Sequence, residues 1–166
     1  VVPFQKKSIT LIQTFDIKIT EKLIVKSRNV TQKRLELCGI KKIEEIIIPH
    51  NEHILCNKIQ TCINRDVDII LIIGPHAITH IKDVIPNAIS KSGAKIIRFG
   101  IPVEPGNLLL LSKFKSSNKD IYIIGMPSCA KSPKANGLDW VLWRILCNID
   151  FKSSNLNELS VGGLIK

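Results

Sequence analysis

The sequence is poor in aromatic residues and has no long apolar run. Aromatic side chains make up 5% of its 166 residues. No apolar run reaches the roughly 20 residues that a transmembrane helix requires, and the N-terminal segment lacks the pattern of a secretory signal peptide. We therefore expect a cytoplasmic protein that has no membrane partner.

The five cysteines are odd in number and lack the spacing of a metal site. Cys56 and Cys62 are too far apart for a compact zinc site, and no histidine pair accompanies them. We therefore predict reduced thiols and no metal ligands. Cys129 is set apart because a helix N-terminus beside lysines can lower a thiol's pKa, although a small residue lining a loop is the simpler interpretation.

Acidic residues are also scarce, with 14 Asp and Glu against 24 Lys and Arg, which gives a net charge of +10. Such a balance suits a polyanionic partner, for example nucleic acid or a phosphorylated cofactor. The lysines are dispersed, however, and they lack an arginine-rich block or interleaved aromatic residues. Nucleic acid is therefore not an expected partner.

Apolar strand patterns alternate with helical ones along the chain. The clearest strand, Asp68 to Gly74, is apolar on both faces, which predicts a central position in a buried parallel sheet. A first strand is predicted at Ile9 to Phe15, and an antiparallel edge is predicted from Leu108 to Leu111 and Ile121 to Ile124. The pattern predicts an α/β fold, a three-layer α/β/α sandwich with a mainly parallel sheet.

Helix starts are predicted at residues that can act as N-caps. Lys18 to Asn29 is predicted to form a loop plus part of a helix, and Thr31 is predicted to cap a short helix that follows. Asp83 precedes a helix at Val84 to Lys91 and is either its N-cap or a polar ligand contact. Ser132 is predicted to cap a last helix that begins at Pro133 and ends near Asn148.

The last predicted helix is apolar on nearly every side, which indicates burial on two faces. Trp140 and Trp143 belong to its second apolar stripe, and we interpret them as packing residues. One face would cover the sheet, and the other would contact a neighbouring domain or a second subunit of a homo-oligomer. The main face comprises Leu138, Val141, Leu142, Ile145, Leu146 and Ile149.

The segment from Gly125 to Ser132 follows a strand and precedes this helix. The first amides of a helix have no partner within it, and Lys131 and Lys134 flank them here. A strand, a loop of small residues, a helix N-terminus and two cations indicate a phosphate pocket. The alternative is that any strand-to-helix turn requires small residues and a cap.

Two motifs, GIPVEPGNLLLL at residues 100–111 and IGMPSCAKSPKANGLDWVL at 124–142, resemble the molybdopterin-binding domain superfamily. That superfamily includes molybdopterin adenylyltransferases, molybdenum-inserting transferases and gephyrin. The motifs are most similar to those of a bacterial branch, GMPVDPGNLLLLG and GxPGCARSPKxNGFDWVLxRLL. In that branch the domain commonly adjoins a nucleotidyltransferase domain like those that attach CMP to the cofactor.

The resemblance implies a domain organisation. Residues 1–150 would form the molybdopterin-binding-like domain, and residues 151–166 would form a linker or tail toward a following domain. Val1 to Phe4 resembles the branch's preceding domain junction, so the chain is expected to be a piece excised from a longer protein.

The resemblance also implies a binding site. The loops at Gly74 to Asp83, Glu104 to Asn107 and Gly125 to Ser132 would converge at one end of the sheet and bind molybdopterin or the molybdenum cofactor. Phosphate is expected at the helix that starts near Ser132. The predicted cofactor-binding residues are Gly74, His76, Asp83, Pro105, Gly106, Asn107, Gly125, Pro127, Ser128, Cys129, Ala130, Lys131 and Ser132.

Several positions depart from the superfamily's patterns. Pro75 removes an amide from a loop that is glycine-rich in the transferases, and His80-Ile81-Lys82 stands where the branch has Asp-Arg-Arg. The segment Pro49 to His53 offers only Glu52 where the adenylyltransferases have several acidic residues. No catalytic residue is therefore assigned.

Three functions remain open at this stage. The preferred one is a binding domain in molybdenum cofactor biosynthesis that presents a phosphorylated pterin to an adjacent nucleotidyltransferase domain. The second is an active adenylyltransferase or molybdenum-inserting transferase, which would require Mg²⁺ or another metal. The third is a degenerate domain kept for structure or assembly.

Overall fold

A computed structural model of the protein describes residues 2–17, 20–150 and 156. None of the helices in these ranges has the length and apolarity needed to cross a bilayer. The elements in these ranges are β1 (Ile9–Phe15), α1 (Glu21–Glu36), β2 (Glu44–Pro49), α2 (Glu52–Asn64), β3 (Ile69–Ile73), α3 (Val84–Lys91), β4 (Lys95–Phe99), β5 (Leu110–Lys115), β6 (Asp120–Gly125), a short 3₁₀ turn (Ser128–Lys131) and α4 (Gly137–Leu146).

The strands form one six-stranded sheet in the order β2-β1-β3-β6-β5-β4. β1 pairs in parallel with β2 and β3, and β3 pairs in parallel with β6. β5 runs antiparallel to both of its neighbours, so the other five strands share one direction. Their carboxyl ends therefore lie along one side of the sheet, which we call the carboxyl edge.

Helices cover both faces of the sheet, which confirms the predicted three-layer α/β/α sandwich with a mainly parallel sheet. Alternate residues of β3 point to opposite faces, so Leu71 packs with α1 and α4 while Ile72 packs with α2 and α3. All five residues of β3 are buried, as expected for a strand that is apolar throughout. β3 lies between β1 and β6, which confirms its predicted central position.

The predicted antiparallel pair exists, but it does not form the edge of the sheet. β5 and β6 pair antiparallel as expected, with Leu111 opposite Ile124. β4 pairs with the outer side of β5, so β5 is internal and β4 is the edge strand. Strand order depends on tertiary pairing, which periodicity along the chain does not encode.

The predicted start of the first helix is wrong. α1 begins at Glu21, after Thr20, and Thr31 is buried inside it instead of capping it. The buried side of α1 contains Ser27, Thr31 and Arg34, with Leu35 as its one large apolar residue. A helix that buries polar side chains lacks the apolar periodicity by which helices are recognised.

The predicted start of the last helix is also wrong. Ser132 has an extended backbone (φ −96°, ψ 147°) because the following proline disfavours the helical conformation at the residue before it. α4 instead begins at Gly137, with Asn136 as N-cap and Asp139 completing a capping box. The residues that precede Ser132 form the short 3₁₀ turn.

The predicted apolar face of α4 is buried from Leu138 to Leu146, whereas Ile149 lies beyond the helix and is 46% exposed. Trp140 and Trp143 pack edge-to-face with ring centroids 5.1 Å apart, which confirms their packing role. The predicted linker at 151–166 lies outside the described residues except for Leu156, which is fully buried in the core beneath α4.

Candidate cofactor-binding site

Lys131 joins two of the three predicted binding loops at the carboxyl edge. Its Nζ donates to the carbonyl oxygens of Gly74, at 3.0 Å, and Pro75, at 3.3 Å. Lys131 ends the turn after β6, and Gly74 and Pro75 begin the loop after β3. The parallel pairing of these strands places both loops at the same edge, where open α/β sheets bind ligands.

The Lys131 side chain is half-buried, and this burial lowers its pKa. Desolvation removes part of the water that would otherwise stabilise the ammonium charge, and two carbonyl oxygens replace that water. Such a cation interacts more strongly with an anionic ligand than a fully hydrated lysine does. The position therefore favours a ligand with a negative charge near the loops that follow β3 and β6.

A cavity of about 440 Å³ lies beside this contact. This volume is within the range of small-molecule sites. The cavity is lined, among the described residues, by His50, His76, Ala77, Ile78, Thr79, Lys82, Asp83, Val84 and Ile85.

The lining includes the carboxylate of Asp83, which accepts hydrogen bonds from the amides of the neighbouring loop. Its Oδ2 accepts hydrogen bonds from the amides of Thr79 and His80, both at 2.9 Å. The bond from the His80 amide is the main cause that lowers the pKa of Asp83. Asp83 thus stabilises the loop that precedes α3. Its side chain bonds to amides of this loop and not to the first amides of the helix.

Two histidines connect the ends of three strands. His50, after β2, has its Nδ1 2.7 Å from Oγ1 of Thr14 in β1. His76, after β3, has its Nε2 3.0 Å from Oδ2 of Asp16. Burial lowers the pKa of His50, and the nearby Asp16 carboxylate opposes this shift.

Sequence reasoning missed the part that Thr14, Asp16 and His50 play at this edge. One signal was present: each of these residues is at or just after the carboxyl end of a predicted strand, where parallel sheets bind ligands.

The turn at Glu104 to Asn107 packs against the start of α4. The carbonyl oxygen of Pro105 accepts a 2.8 Å hydrogen bond from the Gly137 amide. Gly106 has a φ of +117°, and a Cβ placed there would be 2.7 Å from the Gly137 Cα. This confirms that Gly106 has a backbone position that other residues cannot reach.

The amides at the start of α4 are already occupied, and the helix that was expected near Ser132 to receive a phosphate does not begin there. The Asn136 side chain accepts from the Leu138 amide at 3.0 Å, and the Asp139 carboxylate accepts from the Asn136 amide at 2.8 Å. The Gly137 amide is bonded to Pro105. These bonds satisfy the donors that a phosphate would use.

The loop after β6 is shaped mainly by buried small residues. Pro127 and Ala130 are buried, and a Cβ at Gly125 would be 2.6 Å from the Cδ1 atom of Ile78. Ser128 is exposed at the first position of the turn. Ser132 donates its amide to the Cys129 carbonyl oxygen and so closes the turn.

Cys129 does not have the activated thiol that its surroundings suggested. Burial is the main cause that raises its pKa, and the Glu104 carboxylate adds to the increase. The effect of Glu104 also indicates that the 104–107 turn lies near the loop after β6. The lowering of the pKa that a helix N-terminus would cause is absent because the helix does not begin here and the Lys131 ammonium points toward Gly74, which agrees with the simpler interpretation of Cys129 as a small residue lining a loop.

The structure therefore brings only some of the predicted cofactor-binding residues together at the cavity. His76 and Asp83 line the cavity, and Gly74 and Lys131 are bonded beside it. Pro105, Gly106 and Asn107 lie at the start of α4, and Asn107 is exposed there. The Gly125 to Ser132 loop lies next to the cavity through Lys131, with Ser128 directed to solvent.

The carboxylates near the cavity form hydrogen bonds or ion pairs within the protein. Glu52 is paired with Lys91 and accepts from Asn87 at 3.1 Å. Across residues 2–17, 20–150 and 156, no three His, Cys, Asp or Glu side chains are grouped closely enough to hold a metal ion. The arrangement thus offers cationic and hydrogen-bonding groups around a small cavity, which suits an anionic small molecule.

No protein-family model and no curated protein matches this sequence. The fold class, the small cavity at the carboxyl edge and the Lys131 ammonium near it are accordingly the structural features from which a function is inferred.

Proposed function

We propose that this chain binds a phosphorylated pterin of the molybdopterin type at the carboxyl edge of its sheet. The observation that carries the proposal is the Lys131 contact, which brings the loop after β6 against the loop after β3. Both loops belong to the segments whose sequence resembles the molybdopterin-binding superfamily. The half-buried ammonium provides a charge that a phosphate group requires.

The cavity supplies the other requirements of such a ligand. Its volume of about 440 Å³ accommodates a small heterocycle, and Ile78 and Ile85 provide apolar contact for a ring. His50 and His76 contribute ring nitrogens around it, and Lys82 contributes an ammonium group. Since the Asp83 carboxylate accepts from two loop amides, we assign contact with an anionic group to Lys82 instead.

The same geometry favours binding over catalysis. Adenylylation or metal insertion requires carboxylates that are available to a metal ion, as well as a mobile phosphate loop. Here Asp16 is paired with His76, and Glu52 is paired with Lys91. We therefore propose that the chain holds the cofactor and presents it to a transferase domain, which the sequence motifs associate with an adjacent nucleotidyltransferase.

A structural or assembly domain without cofactor is the second candidate, and one observation favours it. Lys131 already donates to two main-chain carbonyl oxygens, so its role can be to join the loops. Under this alternative, replacing Lys131 would lower stability, and the wild-type chain would not bind the cofactor.

The test is an anaerobic calorimetric titration of the chain with molybdopterin. We expect micromolar binding that weakens about tenfold or more in Lys131→Met, since a hydrogen bond to a charged group contributes about 1.5–3 kcal/mol. Inorganic phosphate should compete with the cofactor. Lys95→Met, an exposed lysine on the edge strand β4, is the matched control and should bind as the wild type does.

The outcomes separate the candidates. Absence of binding at about 1 mM molybdopterin, with the fold intact by circular dichroism, would reject the cofactor site and leave the assembly role. Formation of an adenylylated product after addition of ATP and Mg²⁺ would instead show that the chain is an enzyme.

A further inference from the structure

A large groove lies between α1 and the segment that leads into α4. It is on the face of the sheet that α2 and α3 do not cover. Its volume is about 1200 Å³, nearly three times that of the carboxyl-edge cavity. Apolar side chains contribute much of its wall. Within the described part of the chain these are Leu23, Val25, Val30, Leu37, Pro133, Ala135 and Trp143.

The groove exists because α1 is oriented with its apolar residues outward. The buried side of this helix carries Ser27, Thr31 and Arg34, while Leu23 and Leu37 are 47% and 86% exposed. A surface helix normally buries its apolar stripe. An outward apolar stripe beside a concave surface marks an interaction site.

The apolar stripe is regular. It contains Leu23, the half-buried Val30 and Leu37, the C-cap that follows the last residue of α1. These residues are spaced seven apart, so they follow one line on the helix surface. From the helical rise, this line is about 21 Å long. Such a length and spacing match the apolar stripe of a second helix lying along α1.

The charges around the groove define what its occupant carries. Lys22, Lys26 and Lys33 lie along the same side of α1 and line the groove. None of these three forms an ion pair within the described ranges. The other charged groups of the lining are Arg34 and Asp139, which pair with each other, and Glu36, which accepts from Gln32.

We propose that this groove binds an amphipathic helix of a partner protein, whose apolar stripe is flanked by Asp or Glu. The apolar stripe of α1 supplies the contact area, and the three lysines select acidic flanks. A second copy of this chain is a poor occupant because its net charge of +10 and its own lysine row oppose self-association. A lipid surface is less suitable because the site is concave.

The proposal is independent of cofactor binding, since none of the residues that line the groove lines the carboxyl-edge cavity. Loss of molybdopterin binding would therefore leave it unaffected.

The test begins with selection of displayed 18-residue peptides of randomised sequence on the immobilised chain. Peptides that also bind the Leu23→Gln/Leu37→Gln variant are discarded. We expect the retained peptides to have leucine or aromatic residues at helical spacing with flanking Asp and Glu. A set without acidic enrichment, or no enrichment over the variant, would overturn the proposal.

A charge-reversal experiment tests the role of the lysines more directly. The binding of one selected peptide to each variant is measured by fluorescence anisotropy. Lys26→Glu/Lys33→Glu should weaken its binding about tenfold or more, and should gain binding to the same peptide with each acidic residue changed to Lys. The control Lys95→Glu/Lys115→Glu changes two exposed lysines outside the groove and should have little effect. Equal weakening in both variants would indicate nonspecific attraction and reject the site.

Two further outcomes would assign the groove to another occupant. A dimer in light scattering that dissociates in Leu23→Gln/Leu37→Gln would indicate a second copy of the chain. Binding to vesicles that contain phosphatidylserine, lost in the same variant, would indicate a membrane surface. Each result would overturn the proposal of a partner helix. All of these substitutions are at exposed positions, so thermal melts should match that of the wild type.

Discussion

The two helical layers of this protein pack on the same sheet by different means. α2 and α3 bury apolar residues at regular helical spacing, such as Leu55, Ile59 and Ile89. On the other face, α1 is held by a buried ion pair between Arg34 and Asp139 of α4. The comparison shows that a helix anchored by polar groups can leave apolar residues such as Leu23 at the surface.

The polar layer also contains unsatisfied groups. The Thr31 hydroxyl and the Nε of Arg34 are buried without a hydrogen-bond partner in the described structure. Arg34 nevertheless donates to the Ser132 carbonyl oxygen at 2.8 Å, just after the turn that carries Lys131. The same residue thus supports both the groove and the loop at the carboxyl edge.

The largest effect is expected from breaking the ion pair. Arg34→Met keeps much of the side-chain volume but leaves the Asp139 carboxylate buried without its cation. The free energy of unfolding in urea should fall by about 3–5 kcal/mol. The double variant Arg34→Met/Asp139→Asn should recover a large part of this loss. A loss below about 1 kcal/mol in Arg34→Met would show that the layer is not held by this pair.

A second substitution tests the contact between the 104–107 turn and α4. Gly106→Ala places a Cβ against the Gly137 backbone at a φ of +117°, so we expect a loss of about 3 kcal/mol or more in urea unfolding. Gly39→Ala is the matched control, because Gly39 also has a positive φ, of 80°, but has nothing within 4 Å of the added Cβ. It should cost about 1–2 kcal/mol, and an equal loss in both variants would argue against the close approach.

A third prediction concerns pH on the side of the sheet that α2 and α3 cover. Burial lowers the pKa of His50 below its ordinary value of 6.5, so the unfolded chain takes up this proton more readily than the folded one. This contribution to stability is complete above pH 6.5 and is lost as the pH falls from there toward the folded-state pKa.

Urea unfolding between pH 7.5 and about 5 should therefore show a smaller decline in His50→Gln than in the wild type. His53→Gln changes an exposed histidine on α2 and should follow the wild-type profile. Identical profiles for all three proteins would show that His50 makes no contribution in this range.

The smallest effect is expected on the outer side of α1. Leu23→Gln should change the free energy of unfolding by no more than about 0.5 kcal/mol, because this side chain contributes little to the core. Ile59→Ala on α2 removes a fully buried side chain and should cost about 2–5 kcal/mol. A large loss in Leu23→Gln would mean that α1 depends on its outer residues, and the contrast between the two layers would disappear.

Sequence reasoning located the strands and the helices of the apolar layer because their signals are local. β1 and α3 have the predicted bounds, and β3 has the predicted central position. The wrong start of α4 has a local cause, the Asn136 cap, whereas α1 was misjudged because the partner of its buried polar face is far away in the chain. Arg34 and Asp139 are 105 residues apart.

The candidate site was predicted in part. The glycine and proline motifs indicated the loops at Gly74, Gly106 and Gly125, because such turns require particular residues. The helix start near Ser132 was wrong because Pro133 and the Asn136 cap move it to Gly137. Thr14 and His50 were not assigned because their role follows from which strands lie side by side.

The sequence by itself thus determined an α/β sandwich with β3 at its centre, since apolar periodicity and turn residues act over short distances. Tertiary structure alone decided that Lys131 joins two loops beside a cavity and that Leu23 and Leu37 lie exposed on the outer side of α1 and its C-cap. Those features depend on strand order and on a buried ion pair between distant residues. Such long-range pairing leaves no local pattern in the chain.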